Sequence, residues 1–500
     1  MKKIVILLVC FIVIKETVAQ EIPAFMKDSL DAYINKALTD WKVPGLAVCV
    51  IKDGKIVVMK GYGVKELNSK EKVDDNTLFM IGSNAKAFTA TALAMLDAEK
   101  KLSLDDKVTK WLPEFKLENK STTDELLVRD LLCHRTGFSN FEGDFLIWGT
   151  DIPRDKIPDR IRGVKMMYPV RTTFGYSSSA FIVAGEIIPK VTGLSWEAFI
   201  KNNIFTPLGM TRSLALHKDY PAATNKCEPY TLINDTLVRV AYCNIDNMAP
   251  AGTISSSVND LSKWVMMLLN NGKYGDTQII PSEAIEKTWT PQSIIGDAND
   301  FRFMGSLYGL GWFLDNYHER KIVAHVGWLD GLYTSITLIP QEKLGIIVLT
   351  NTDQNLLYLS LKKQIIDAYL HQPYKNYSNL DLDSFKLQKS EEAKKNKLYK
   401  DSVQLHLSSP LPLEAYVGDY FNSQYGNLSV YIEDGELKIK FAHHRGLYAK
   451  LESLGGNRFY ASFSNPEFGN YIFPFLTEQN KVKSVLISSF EPTVYEFIKK

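Results

Sequence analysis

The pattern of apolar and polar positions predicts a large mixed region in the first three quarters of the chain. Across residues 45–63, apolar residues flank Asp53-Gly54, a pair typical of the tight turn of a β-hairpin. Residues 83–101 follow as a helix that is apolar on nearly every side over its first turns, which predicts burial. Strand patterns return at 333–340 and 344–351, before a helix at 356–370. Strands at both ends with helices between them predict an α+β domain with an antiparallel sheet.

The last quarter of the chain has a different pattern. Residues 375–408 are rich in Lys, Asp, Ser and Asn, and predict a solvated linker with helix at 390–400. From residue 409 to 500, short alternating strands are separated by regular turn signals. This spacing predicts an all-β module, a sandwich or a small barrel. The predicted domains are therefore 21–374, a linker at 375–408, and 409–500.

The first twenty residues predict an export signal. Lys2 and Lys3 precede the apolar run 4–14, and small residues at 17–19 supply a cleavage site. Eleven apolar residues are too few to span a bilayer, and no later stretch offers eighteen. We therefore expect a periplasmic or secreted protein without a membrane span, once residues 1–20 are removed.

Composition narrows the classes of function. A length of 500 residues favours more than one domain, and the net charge of +1 offers no reason to expect nucleic acid as a partner. Four cysteines remain after cleavage, and the pair Cys227 and Cys243 flanks a hairpin-like stretch. Export permits a disulfide there, although four free thiols remain an alternative. The chain has no CxxC and no HExxH, so we expect no metal site.

A serine followed three positions later by lysine occurs three times, at 69/72, 83/86 and 360/363. Only Ser83 opens the buried helix, where positions three apart share one face and the Lys86 amine can reach the hydroxyl. Burial favours the neutral amine, which can accept a proton. The alternative from this motif alone is that Ser83 is an N-cap and Lys86 a solvated side chain.

Several segments in order resemble the serine β-lactamase-related family, which includes class C β-lactamases, D-Ala-D-Ala carboxypeptidases, D-aminopeptidases and esterases of the peptidase S12 type. Residues 79–89 (FMIGSNAKAFT) resemble its first motif, with Ser83 as nucleophile. Residues 105–115, 128–138 and 204–211 are similar to further family landmarks. The resemblance covers residues 25–370, and residues 411–500 look like the lipocalin-like barrel that some members carry.

The resemblance also assigns the other site residues. Tyr176 begins a partial match to the family's Tyr-x-Asn motif and would transfer protons, its phenolate form stabilised by Lys86. Ser178 stands where the family has Asn, and by this resemblance it would contact the substrate through a shorter side chain. The segment around Ser177 lacks the final glycine of a nucleophile elbow, so we reject Ser177 as the nucleophile.

The third motif is matched by His325-Val326-Gly327, in place of Lys-Thr-Gly. His325 would pass a proton to the leaving group, and Gly327 would let substrate approach the strand. The backbone N–H groups of Ser83 and Trp328 would form the oxyanion hole.

The sequence therefore predicts a serine hydrolase that acts through an acyl-enzyme on an ester, an amide or a D-amino-acid-containing peptide, without a cofactor. A β-lactamase or carboxypeptidase acting on cell-wall-like substrates is the alternative enzyme, and a non-catalytic binding protein is the alternative of another class. The expected partner is a small-molecule or peptide substrate, and the C-terminal domain is a candidate surface for homo-oligomers.

Overall fold

The structure is a computed structural model that describes residues 22–233, 235–242, 245–296 and 306–500. The predicted export signal at 1–20 and Cys243 lie outside the described residues. Cys49, Cys133 and Cys227 are buried free cysteines. The disulfide between Cys227 and Cys243 therefore stays a prediction.

The first domain contains strands of very different lengths. They are β1 Gly45–Lys52, β2 Lys55–Gly63, β3 Phe79–Met80, β4 Tyr230–Ile233, β5 Thr236–Arg239, β6 Ser255–Ser256, β7 Lys273–Tyr274, β8 Thr277–Gln278, β9 Ser293–Ile294, β10 Leu307–Tyr308, β11 Phe313–Tyr317, β12 Arg320–Leu329, β13 Leu332–Ile339 and β14 Leu344–Thr350. The main sheet has the order β2-β1-β14-β13-β12-β11-β10-β9, with every neighbouring pair antiparallel. Strand β1, the first of the domain, thus pairs with β14, its last.

The hairpin of β1 and β2 shows how local sequence sets this topology. Asp53 and Gly54 form its turn with φ angles of 52° and 73°. Two successive positive φ values suit the right-handed twist of the flanking strands, and Asp-Gly tolerates them. Lys52 pairs with Lys55 across the turn, which confirms the predicted hairpin.

Helices cover both faces of the sheet. They are α1 Leu30–Asp40, α2 Ala85–Ala98, α3 Val108–Trp111, α4 Lys120–Glu125, α5 Val128–Leu132, α6 Ile157–Ile161, α7 Ser178–Thr192, α8 Trp196–Ile200, α9 Thr206–Leu208, α10 Ala249–Gly252, α11 Val258–Leu269, α12 Ser282–Thr288 and α13 Leu357–Tyr369. Helix α2 is buried from Ala85 to Leu96. Helices α1 and α13 pack on the opposite face of the sheet, in a second apolar cluster. This arrangement confirms the predicted α+β class with an antiparallel sheet.

A long helix, α14 Tyr377–Gln404, occupies most of the segment predicted as a linker. It extends well beyond the predicted helix at 390–400. Its N-terminal part packs on the first domain, where Phe385 lies 5.4 Å from Trp41, ring centroid to ring centroid.

The C-terminal domain is a closed eight-stranded barrel, one of the two forms that the turn spacing predicted. Its strands are β15 Gly418–Asn422, β16 Gly426–Glu433, β17 Glu436–Phe441, β18 Tyr448–Ser453, β19 Arg458–Phe463, β20 Asn470–Glu478, β21 Lys481–Ile487 and β22 Tyr495–Lys499. Strand β15 closes the barrel by pairing with β22. Closure removes the open sheet edges that invite aggregation.

The barrel is joined to the first domain by buried contacts, and apolar residues of both belong to one continuous cluster. Glu467, in a barrel turn, is hydrogen bonded to Asp353 and lies near Asp330. Asp330 and Asp353 are 5% and 3% exposed. Three carboxyl groups thus meet in a buried contact between the domains.

Candidate active site

Ser83 lies in a single turn, Gly82–Asn84, directly before helix α2. Gly82 has a φ of 53°, and a Cβ atom there would stand 2.8 Å from the Trp328 carbonyl oxygen. A side chain at this position would therefore collide with strand β12. The buried Asn84 amide donates to the Ile81 carbonyl and to Thr334 Oγ1 over 3.0 and 2.9 Å. These contacts hold the turn that presents Ser83 against the central sheet.

Lys86 directs its amine at the Ser83 hydroxyl. Its Nζ donates to Ser83 Oγ over 3.0 Å and to the Ala251 carbonyl over 2.9 Å. The residue is 1% exposed. Burial lowers the pKa of Lys86 to about 7, because the charged amine loses its hydration. A substantial fraction of the amine is therefore neutral near pH 7 and able to accept the serine proton.

Tyr176 completes a cluster around the serine. Its phenol is hydrogen bonded to Ser83, and Lys86 Nζ lies 4.9 Å from the centre of its ring. The ring stacks on His134 at 4.2 Å, and His134 Nδ1 accepts from the Ser177 N–H over 3.0 Å. The sequence analysis assigned Ser83, Lys86 and Tyr176 to one site. In the structure, both Lys86 and Tyr176 are hydrogen bonded to Ser83.

The expected phenolate form of Tyr176 is not favoured. Burial raises the pKa of Tyr176 above its usual value, and the nearby Asp144 charge acts in the same direction. Tyr176 is therefore a neutral phenol that can donate a proton to a neighbour and be reprotonated.

His325 faces this cluster from strand β12, but both of its ring nitrogens are already hydrogen bonded. Nδ1 lies 2.7 Å from the Val326 carbonyl, which can only accept, so Nδ1 carries the proton. Nε2 then accepts from the Tyr308 hydroxyl over 3.0 Å. Burial lowers the pKa of His325 to about 3, and the nearby Lys86 charge adds to the effect. A neutral imidazole bonded on both sides does not favour the predicted proton relay to a leaving group.

Gly327 allows strand β12 to pass directly beside the serine turn. A Cβ atom at Gly327 would overlap the Ile81 carbonyl. The backbone of Trp328 therefore runs along Gly82, beside Ser83. This closeness agrees with the predicted oxyanion hole of the Ser83 and Trp328 N–H groups, whose role stays a prediction.

Asp144 is a residue that the motifs did not reveal. Ser178 is 5% exposed and donates its hydroxyl to Asp144 Oδ2 over 3.2 Å. The shorter side chain of Ser178, where the family has Asn, thus faces a carboxylate. Burial raises the pKa of Asp144, and the nearby Lys86 charge opposes that rise. In turn, the Asp144 charge opposes the lowering of the Lys86 pKa by burial. The contact of Ser178 with substrate stays a prediction.

The two other Ser-x-x-Lys pairs have no comparable surroundings. Ser69 Oγ accepts from the Glu71 N–H in a surface turn. Ser360 donates to Asp381, to which Lys363 also donates. Within the described ranges no grouping of His, Cys, Asp and Glu could hold a metal ion, and no described helix is long and apolar enough to cross a membrane. The chemistry open to this site is nucleophilic attack by a serine beside a neutral amine.

Known proteins resemble this chain over most of its length. The Beta-lactamase family model matches residues 30–370, and a domain family of unknown function (DUF3471) matches residues 405–497. The unguisins hydrolase ungD′ of Aspergillus campestris is 28% identical over 433 residues, which cover 82% of this chain and 79% of the relative. Protein flp of Staphylococcus aureus strain N315 is 27% identical over 370 residues, or 72% of this chain and 71% of flp.

The octameric penicillin-binding protein homologue from Pyrococcus abyssi has a similar fold. Its structure superposes with a TM-score of 0.62 at 24% identity, over 94% of this chain and 99% of the homologue. The alignment spans both the first domain and the barrel. At this identity the likeness concerns the fold alone.

Proposed function

We propose that this chain, which belongs to the β-lactamase family, is an exported serine hydrolase that forms an acyl-enzyme on Ser83. The observation that carries the proposal is the 3.0 Å contact between the buried Lys86 amine and Ser83 Oγ. A serine hydroxyl is a weak nucleophile until a neighbouring base removes its proton. Lys86 is that base, since burial holds its pKa far below that of a solvated lysine.

The first half of the reaction forms the ester. Ser83 Oγ attacks the substrate carbonyl carbon, and its proton passes to Lys86 Nζ. The carbonyl oxygen becomes an oxyanion beside the backbone N–H groups of Ser83 and Trp328. When the tetrahedral intermediate collapses, the bond to the leaving group breaks. Tyr176 gives its phenolic proton to that group and is reprotonated by Lys86.

The second half releases the product. Water attacks the ester carbon and gives its proton to the neutral Lys86, and Ser83 Oγ leaves with a proton returned through Tyr176. Both halves use the same three side chains, so no further catalytic group is required.

The substrate classes that we propose are esters, amides and D-amino-acid-containing peptides. Support comes from the neutral His325, which offers no fixed positive charge to a substrate carboxylate, and from the hydrolase name of one relative. Hydrolysis rates on a p-nitrophenyl ester, a D-amino-acid anilide and an acyl-D-Ala-D-Ala peptide rank these classes. Export is part of the proposal, because residues 1–20 have the pattern of an export signal. N-terminal sequencing of protein from a secreting host tests it, with a start near residue 21 expected.

Covalent labelling tests the proposed nucleophile. A fluorophosphonate should add once to the wild-type protein, and intact-mass analysis should show no adduct on Ser83→Ala. Ser69→Ala is the matched control, because it removes the serine of another Ser-x-x-Lys pair and should label normally. Equal labelling of Ser83→Ala and wild type contradicts the assignment. A folded wild-type protein without labelling or turnover favours the non-catalytic binder.

A further inference from the structure

We propose that Asp144 is a positioning residue of the active site and that the C-terminal barrel holds it there through Glu491 and a socket around Phe145. This inference rests on the proposed function. It follows from a continuous series of contacts that runs from the barrel to the helix carrying the site.

The socket is the first part of this series. Phe145 is fully buried, and its ring meets four rings of the barrel, with centroid distances of 4.8–5.9 Å. Those rings belong to Tyr425, Phe441, His444 and Tyr495. A buried phenylalanine surrounded by aromatic rings has little freedom to move. The barrel thus fixes a side chain that belongs to the catalytic domain.

Glu491 fixes the backbone at the same point. Its Oε2 accepts the Phe145 N–H over 3.0 Å, across 346 positions of sequence. Glu491 is 6% exposed, and burial raises its pKa to about 8. A buried N–H that loses its acceptor is costly, so this bond restrains the peptide unit between Asp144 and Phe145.

The loop formed by residues 144–151 contacts the barrel a second time, at Asp151. The Asp151 N–H donates to the His443 carbonyl over 2.9 Å, and its carboxylate accepts from Arg445 over 2.8 Å. Between these anchors, Trp148 stacks on Trp328 at 5.2 Å. The loop is therefore held between the barrel on one side and the serine site on the other.

Asp144 links the restrained loop to the active site. Its Oδ2 accepts from Ser178 Oγ at the start of helix α7, two residues after Tyr176. Its charge also opposes the effect of burial on Lys86. If Asp144 moved away, its negative charge would no longer raise the pKa of Lys86 against the effect of burial. The start of α7 would also lose the buried hydrogen bond between Ser178 and Asp144. The barrel therefore acts on catalysis without contacting the reacting atoms.

The test combines a rate with a direct measurement of Lys86. The rate is that of fluorophosphonate labelling as a function of pH. The direct measurement is an NMR titration of isotope-labelled lysine, in which Lys86→Met identifies the Lys86 signal. The variants are Asp144→Asn, Glu491→Leu, Glu491→Gln and the exposed control Glu496→Leu. Charged or titratable groups that face Asp144 are Lys86, Glu142, Tyr176, Glu491 and Tyr495.

Asp144→Asn should lower the pKa of Lys86 and move the acidic limb of labelling to lower pH, because a negative charge that favours the ammonium form is gone. Glu491→Leu should slow labelling on the order of tenfold or more, since small displacements in a site have effects of that size. Glu491→Gln keeps an acceptor for the Phe145 N–H and should restore most of the rate. Glu496→Leu should match wild type.

Two results would overturn the inference. One is an unchanged Lys86 titration in folded Asp144→Asn, and the other is equal labelling rates for Glu491→Leu and Glu496→Leu. The failure of the proposed function looks different: wild type is not labelled at Ser83. In that event the Lys86 titration still decides whether Asp144 acts on Lys86.

Discussion

The Tyr308 hydroxyl donates to His325 Nε2 over 3.0 Å, inside a cluster of aromatic rings behind the serine site. This bond makes His325 part of the wall that supports the site. It also fixes the histidine tautomer, because the other ring nitrogen donates to the Val326 carbonyl. His325 therefore does not titrate near neutral pH, whereas the Lys86 amine does, beside the buried carboxyl of Asp144.

We predict a single acidic limb near pH 7 in kcat/KM for ester hydrolysis. The sign follows from Lys86: protonation below its pKa removes the base, so activity rises as pH increases through about 7. His325→Asn keeps a donor toward the Val326 carbonyl and should leave the limb within about half a unit. A limb that disappears in His325→Asn would identify the imidazole as the titrating group.

Tyr176→Phe should lower kcat by about 10²–10⁴-fold, the usual contribution of a positioned proton-transfer group. The substitution keeps the ring that stacks on His134, so the fold should persist. Tyr62→Phe is the matched control, because Tyr62 hydrogen bonds to Asp31 and belongs to the apolar cluster of α1 and α13, on the opposite face of the sheet from α2. Comparable kinetics for Tyr176→Phe and Tyr62→Phe would remove Tyr176 from the mechanism. Circular dichroism and thermal unfolding establish that both variants are folded.

Penicillin-type substrates should be hydrolysed poorly. Efficient β-lactam recognition uses a positive charge on the substrate carboxylate, and a neutral His325 supplies none. One missing charge-assisted hydrogen bond corresponds to about 1.5–3 kcal/mol, or about ten- to more than a hundredfold in kcat/KM. Nitrocefin and its methyl ester should therefore react at similar, low rates, below that of a p-nitrophenyl ester. A strong preference for nitrocefin over its methyl ester would instead support a β-lactamase.

Stability should fall as pH rises, because of the acidic contact between the domains. Burial raises the pKa of Asp330 to about 7 and that of Glu467 to about 10, while unfolded carboxyls titrate near 4. The folded protein thus binds more protons than the unfolded chain between these values, and the free energy of unfolding decreases with rising pH. Urea unfolding at pH 5, 7 and 9 measures the slope. Glu467→Gln should reduce it and the exposed Glu414→Gln should not; equal slopes in both would assign the effect elsewhere.

The local sequence pattern was sufficient to predict the elements that carry Ser83. The Asp-Gly turn predicted the first hairpin, and the apolar run after Ser83 predicted a buried helix. The relation of Ser83 to Lys86 follows from helix geometry alone, since residues three apart share a face. Tyr176 needed the family motif, because its contact with Ser83 spans the domain and has no periodic signal.

The sequence pattern did not predict the contacts that acidic residues make with distant parts of the chain. Asp144 stands in an aromatic-rich loop with no motif around it, and Glu491 reaches that loop from the far end of the chain. Their burial depends on two domains meeting, which no local rule encodes. The full length of α14 was also missed, since its sequence has few apolar positions. Ion pairs three or four residues apart stabilise it, at Lys389–Glu392, Lys394–Glu391 and Lys397–Asp401.

The length of helix α14 sets both the rotation of the barrel about the helix axis and its distance from the start of the helix. Its 28 residues span about 42 Å, and each residue added within it would advance the chain by about 1.5 Å and rotate it by about 100°. An insertion of one or two residues would turn the barrel's approach away from Phe145, whereas a full turn would come close to restoring it. Length changes in this helix should therefore be tolerated in steps of about a turn, a periodic rule that a flexible tether would not obey.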